Sequence, residues 1–188
     1  MKRIFILLVA FAVLVSCKSG VRYSGSNGEK TQKDAEAEFV SSLTQSDEDA
    51  VLALADDFMS KLQAGQVDEA LDMIHVLYND AVYRKSADYT MQLKQRFLKR
   101  PVCSFEREYY SFSTEGNNDI LYSYVMEPAT ETRPAQTTKL MLNPVYVEGK
   151  WYLTFKDVGQ SSKQLSVDKQ IHELAPAPNA PRLNKKPE

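Results

Sequence analysis

Phe58-Met59-Ser60-Lys61-Leu62-Gln63-Ala64-Gly65-Gln66-Val67-Asp68-Glu69-Ala70-Leu71 carries two amphipathic patterns separated by one glycine. Phe58 and Leu62 end an apolar stripe that begins at Val51 and runs through Leu54, with Ala55 and Met59 beside it. That spacing predicts a helix. Gly65 supplies its stop, because glycine enters the left-handed conformation that ends helices. Upstream, Ser46-Asp47-Glu48-Asp49 predicts the start, with Ser46 as N-cap and the acids at the positive helix end. Downstream, Val67, Ala70, Leu71, Ile74, Leu77 and Tyr78 predict a second amphipathic helix after a tight turn. A third is expected from Ser86 to Lys99, with Tyr89, Leu93 and Phe97 four apart. Lys99 and Arg100 suit its negative end, and Pro101 prevents its continuation.

Beyond Pro101 the apolar period becomes two. Val102 to Thr114 is rich in aromatic and β-branched residues, and its phase shifts near Tyr109-Tyr110, which predicts a bulge. Gly116-Asn117-Asn118-Asp119 is a hairpin signal. Ile120, Tyr122, Tyr124 and Met126 then alternate with Leu121, Ser123, Val125 and Glu127. After a polar loop from Pro128 to Pro134, a long strand is expected from Thr137 to Val147, kinked at Asn143-Pro144. Glu148-Gly149 turns the chain, and Trp151, Leu153 and Phe155 begin a return strand that fades by Val158. Helices followed by long antiparallel strands imply an α+β plan, with N-terminal helices packed on one face of a curved, bulged sheet.

The two ends read differently. Lys2 and Arg3 precede an unbroken apolar run from Ile4 to Val15, then Ser16-Cys17. A charged start, a short apolar run and a small residue before the cut form the layout of an export signal. The run is 12 residues, whereas a bilayer-spanning helix needs about 20. Leu14-Val15-Ser16-Cys17 resembles the lipobox of bacterial lipoproteins. That resemblance implies cleavage between Ser16 and Cys17, lipidation of the Cys17 thiol, and anchoring in the cell envelope. Lys18 after the cysteine, rather than Asp, implies the outer membrane by analogy, facing either side. Residues 1–16 are then the signal and 17–45 a polar tether, with a weak helical pattern from Ala35 to Leu43. The domain occupies 46–158. Residues 159–188 form a polar tail with a short helical pattern near Leu165 to Leu174, and from Ala175 it is proline-rich and expected to be disordered.

Within the domain, Phe58 to Leu71 and the hairpin Val145-Tyr146-Val147-Glu148-Gly149-Lys150-Trp151-Tyr152-Leu153 resemble the nuclear-transport-factor-2-like (cystatin-like) superfamily. The resemblance covers residues 46–158. It implies a cone of helices against a curved sheet, whose open end holds a pocket in many members. Some members are isomerases or dehydratases, and many are binding or interaction modules. A shared fold assigns no activity. No catalytic motif is matched, so the resemblance supplies no active-site residues.

Charge and cysteine content narrow the classes. The chain has 23 Lys+Arg against 25 Asp+Glu. Removal of the signal takes Lys2 and Arg3 and leaves 21 against 25 in 172 residues, a net of −4. That acidity argues against nucleic acid as a partner. With Cys17 lipidated, Cys103 is the one remaining thiol and reads as a small buried hydrophobe. His75 and His172 have no Cys or His neighbours at ligand spacing, so no metal and no cofactor is expected. No phosphate-binding glycine loop is present.

Candidate functional residues are therefore few. His75 borders the apolar stripe of the expected second helix, either as a half-buried, hydrogen-bonded histidine or as an acid–base group facing a pocket. Asp56 and Asp57 point away from the first helix's stripe, onto a solvated face. Glu106 and Glu108 share one strand face and Arg107 the other. Tyr109, Tyr122, Tyr124 and Trp151 fall in the sheet and read either as core packing or as an aromatic binding face. The expectation is a membrane-anchored envelope lipoprotein with a non-catalytic module that binds a small ligand or an envelope protein. The alternatives are a small isomerase or dehydratase using a pocket in the cone, and an assembly module that forms a homodimer through its sheet face.

Overall fold

The computed structural model describes residues 32–156 and 180–183. The expected export signal with Ser16 and Cys17, the expected tether before residue 32, the expected end of the last strand at Val158, the pattern from Leu165 to Leu174, His172 and the rest of the tail lie outside the described residues. Ten elements follow in order: α1 (Gln32–Ser42), α2 (Gln45–Gln63), α3 (Val67–Asp72), β1 (His75–Tyr78), β2 (Ala81–Arg84), α4 (Ala87–Lys99), β3 (Ser104–Thr114), β4 (Asn117–Glu127), β5 (Gln136–Val147) and β6 (Lys150–Phe155). The architecture is α+β, with helices preceding a curved antiparallel sheet of order β3-β4-β5-β6.

Thr44, not Ser46, caps α2. Its hydroxyl accepts the Asp47 backbone N–H at 3.2 Å, and the Asp47 carboxylate accepts the Thr44 backbone N–H at 2.9 Å. This reciprocal box satisfies two donors that a helix start leaves open. At the other end Gly65 has φ 75°, and the Gln66 N–H reaches the Lys61 carbonyl while the Gly65 N–H reaches that of Leu62. That is the Schellman closure, and it needs a residue comfortable at positive φ. Between these ends Val51, Ala55, Phe58, Met59 and Leu62 are buried, as the stripe requires. Each such large apolar side chain contributes about 1.5–3 kcal/mol by leaving water.

The expected second helix is only α3, six residues long. Leu77 and Tyr78 instead enter a hairpin, β1 paired with β2, and Ile74 bridges in parallel to Leu153 of the last strand. Asn79 and Asp80 at its tip have φ 46° and 59°. Two successive positive-φ residues make the primed turn that matches strand twist, and Asn-Asp tolerates it better than most pairs. The Lys85 ammonium ties the hairpin base down by donating to the carbonyls of Leu71 and Ile74. The third helix matches its expectation closely: Ser86 caps α4, and Leu93 and Phe97 are buried.

The sheet's inner, helix-facing side carries Ile120, Tyr122, Tyr124, Leu140, Leu142 and Leu153, all buried against α2, α3 and α4. The shift predicted near Tyr109-Tyr110 is present, with a register break between Arg107 and Tyr109 that leaves Glu108 extra. Pro144 lies within β5 rather than breaking it. Its carbonyl accepts the Asn118 side-chain amide at 2.7 Å, and Asn143 accepts the Asn118 backbone N–H at 2.8 Å, so side chains replace the ladder there. Glu148 and Gly149, at φ 52° and 77°, close the last hairpin. On the sheet's outer side the β1–β2 hairpin folds over Val145 and Val147 with Val82.

Two segments assigned to the chain's flexible ends belong to the folded body. α1 falls in the expected tether, yet Phe39 is buried against Tyr146 and Trp151. One large aromatic per eleven residues was too sparse a pattern to announce a packed face. Residues 180–183 fall in the expected tail, yet Arg182 bridges to Ala81 and Leu183 joins the outer cluster. Backbone pairing to the β2 edge, which sequence patterning does not report, holds them.

Candidate functional site

Asp56, Arg107 and Tyr122 meet where α2 crosses the inner face of β3 and β4. The Tyr122 hydroxyl donates to Asp56 Oδ1 at 2.6 Å, and Arg107 donates to Asp56 Oδ2 at 3.1 Å. The Arg107 guanidinium also lies 5.9 Å from the centre of the Tyr110 ring. The bulge adds Tyr110 to this cluster. In an unbroken strand, residues three apart face opposite sides, so Arg107 and Tyr110 would be separated. The extra residue at Glu108 returns Tyr110 to Arg107's face, pairing Tyr110 with Ile120 and Arg107 with Tyr122.

The cluster is polar and half-open. Asp56 and Arg107 side chains are 44% and 31% exposed, and Tyr110 is exposed. The Tyr122 ring is buried, and burial together with the Asp56 carboxylate pushes its phenol far above the ordinary tyrosine range. Tyr122 is thus a fixed hydrogen-bond donor at any physiological pH. Asp56 gains a partner that the helical pattern did not predict, because its contacts come from strands more than fifty residues away.

An aromatic cluster continues along the same face. Tyr110 neighbours Phe112 at 5.6 Å between ring centres, Phe112 neighbours Trp151 at 5.6 Å, and Trp151 neighbours Tyr146 at 4.8 Å. Trp151 is 8% exposed, and its indole N–H has no hydrogen-bond acceptor among the described residues.

The residues singled out from sequence do not form one site. Tyr122 and Tyr124 point into the core, and burial also raises the Tyr124 phenol against the opposing pull of Arg96 and Arg100. They form no open binding face. Tyr109 is exposed on the opposite side of the sheet, where its hydroxyl lies 3.9 Å from Met141 Sδ. His75 is on a strand, not a helix. Its Nδ1 lies 3.1 Å from the Met73 carbonyl, and its ring meets Tyr152 edge-on at 5.1 Å. Burial lowers its pKa, with the charges of Lys85, Lys150 and Arg84 adding to the shift. The ring is half-buried, with Nδ1 at hydrogen-bond distance from a backbone carbonyl. Cys103, expected in the core, is exposed, with its thiol donating to the Met126 carbonyl at 3.2 Å. Asp57 does stay on the surface, paired with Lys61 one turn on. Glu108 pairs across the sheet with Lys139.

Among the described residues, no three His, Cys, Asp or Glu side chains are grouped to hold a metal ion, and no helix is long and apolar enough to cross a membrane. A shallow crevice of about 110 Å³ beside α4 is lined by Leu62, Val67, Phe97 and Leu98 among others, and holds no titratable group.

No family model matches the chain, and no curated protein matches it. A solved structure from Campylobacter jejuni, described as an NTF2-like transpeptidase, is similar at 15% identity and a TM-score of 0.35, covering 55% of this chain and 96% of that one. The likeness is one of backbone arrangement and is too slight to carry chemistry from one protein to the other.

Proposed function

We propose that this is a lipid-anchored envelope protein whose nuclear-transport-factor-2-like domain binds a partner rather than transforming a substrate. The observation that carries the binding role is Arg107, held by Asp56 and laid over the exposed Tyr110 ring. An arginine fixed by a carboxylate loses little freedom on meeting a ligand, and its remaining N–H groups suit a carboxylate or other oxygen-rich acceptor. Tyr122 holds its proton too firmly to serve as a base near neutral pH, which favours recognition over proton transfer. The test places a photo-reactive benzoylphenylalanine at Tyr110 in the full chain, in intact cells. A discrete adduct should form and should be lost when Arg107→Gln is added. An adduct indifferent to Arg107, or none at all, overturns the reading. The anchor rests on Leu14 to Cys17. Cys17→Ser should abolish incorporation of labelled fatty acid and leave precursor or soluble protein, and unchanged membrane fractionation would overturn it.

A homodimer through the sheet's outer face is a second reading. Tyr109, Leu121 and Met141 lie directly opposite one another across three strands, giving an apolar row on that face. Leu121→Glu should then abolish any dimer seen by sedimentation.

A further inference from the structure

We propose that Arg84, His75 and Lys150, gathered beside the Tyr152 ring at the base of the β1–β2 hairpin, form a binding site for a phosphate monoester. The hairpin lies on the sheet's outer side and Arg107 on its inner side, so this site is separate from the partner site proposed above. It binds its anion together with one proton, taken from solvent by His75.

Strand geometry brings the three together. Residues two apart in a strand share a face. Leu77 and Val82 pack on Val145 and Val147 of the sheet, so His75 and Arg84, directly opposite one another in the same hairpin, take that same side. Such cross-strand neighbours have β-carbons about 4.5–5.5 Å apart. The His75 ring meets Tyr152 edge-on at 5.1 Å, and the Lys150 ammonium lies 5.2 Å from the centre of that same tyrosine ring. Arg84 and Lys150 are exposed, and His75 is half-buried. The charges acting on His75 are those of Lys85, Lys150 and Arg84, all positive. The Lys85 ammonium is held by the carbonyls of Leu71 and Ile74, and Asp72 is the carboxylate that bears on it. Among the described residues no ion pair joins Arg84 or Lys150 to a carboxylate. Positive charge therefore collects here in a chain whose acids outnumber its bases, 25 to 23. Cations held together repel, and an anion seated between them replaces that repulsion with attraction.

The donor set selects the anion. His75 Nδ1 lies 3.1 Å from the Met73 carbonyl, which can only accept, so Nδ1 carries the hydrogen and Nε2 is the nitrogen left for a ligand. Nε2 can donate to an anion only after the ring takes up a second proton. A phosphate monoester carries a charge of about −1.5 to −2 at neutral pH and three strong acceptor oxygens. Those oxygens match one guanidinium, one ammonium and one imidazolium N–H. A carboxylate carries one charge and two oxygens, so it leaves part of the set unmatched.

The test uses the full mature chain and sulfate, a dianion whose charge is constant near neutrality. The imidazole signal of His75 is followed by NMR and told apart from that of His172 by His172→Gln. At equal ionic strength sulfate should raise the His75 pKa by at least half a pH unit over chloride, because a bound dianion favours the protonated ring. In the double variant Arg84→Gln, Lys150→Gln the value in chloride should itself be higher, and sulfate should no longer move it. Equal values in sulfate and chloride for the wild-type chain overturn the proposal. Two further probes identify what carries the phosphate: glycerol 3-phosphate in solution, and phosphatidylcholine vesicles containing phosphatidic acid. At least one should bind tenfold more tightly than its control, acetate for the first and plain phosphatidylcholine vesicles for the second, and should lose that advantage in the double variant. The probe that does so names a soluble phosphate or a lipid headgroup as the source, and failure of both overturns the proposal. Arg107→Gln should leave every one of these readings unchanged, so failure here is distinguishable from failure of the Arg107-dependent partner.

Discussion

Tyr122 and Asp56 are 66 residues apart in the chain and 2.6 Å apart in the fold, joined by a hydrogen bond from the phenol to the carboxylate. The bond crosses from the central β4 to α2 and fixes how the first long helix lies on the sheet. Tyr122→Phe keeps the ring and deletes only the donor. A hydrogen bond to a charged group is typically worth about 1.5–3 kcal/mol. The Asp56 carboxylate is 44% exposed and retains water, so a loss near the lower end, about 1.5 kcal/mol, is expected in urea unfolding. Asp56→Ala should cost at least as much, because the buried phenol then lacks its acceptor. The raised phenol also sets a pH limit. Below its unfolded value of about 10 the contribution is complete, and it is lost as pH climbs beyond that point, because the unfolded chain releases the proton more readily. Tyr122→Phe should flatten the stability curve in that alkaline window, and an unchanged slope would refute the assignment.

His75 gives the opposite sign near neutrality. Burial lowers its folded pKa below the ordinary 6.5, so the unfolded chain takes up the proton first as pH falls. The contribution to stability is present above about 6.5 and is lost as pH falls through the depressed folded value. Melting temperature should therefore drop between pH 7.5 and pH 5, and His75→Gln should reduce that drop. Equal pH dependence in the two proteins would show that other groups control it.

Gly116 has its consequence at a distance. A β-carbon there would stand 2.7 Å from the Leu183 side chain. Backbone at this hairpin is held by the Asn143 amide donating to the Gly116 carbonyl, so the side chain of Leu183 is the part that yields. Gly116→Ala should release residues 180–183 and make the C-terminal segment more susceptible to limited proteolysis, while costing the domain only about 1 kcal/mol. Unaltered cleavage of that segment would mean that Leu183 re-seats beside the added methyl.

What the sequence made legible follows the range of the forces involved. The stripe from Val51 to Leu62, the four-residue spacing of Tyr89, Leu93 and Phe97 and the alternation from Ile120 to Tyr124 are local patterns imposed by one large apolar core, and the fold class follows from them. Ile74 to Tyr78 were misassigned because their apolar spacing also fits a helix, while the turn chemistry of Asn79-Asp80 went unweighed. Cys103 reads as buried because free cysteines usually are and its stretch is apolar, yet adjacent residues in an extended segment take opposite sides, and Val102 is the one that faces inward. Tyr110 joins the Asp56–Arg107–Tyr122 cluster through a single bulge that decides which side chains share a face. The shift of pattern was visible, but the residues it brings together were not, because their partners lie on other elements. Phe39 lies beyond pattern altogether, since one aromatic in a polar segment acquires meaning only from the rings it meets.

The bridge between Ala81 and Arg182 has a consequence for the order of assembly. β2 pairs with β1 on one side, and its other edge is met by a segment close to the end of the chain. A ribosome adds about 5–20 residues each second, so that edge waits several seconds for its cover. During the interval it offers open backbone donors and acceptors, the usual template for unwanted strand addition. Chains shortened before Pro181 would keep the edge open permanently, and self-association beginning at β2 is the form of failure this architecture invites.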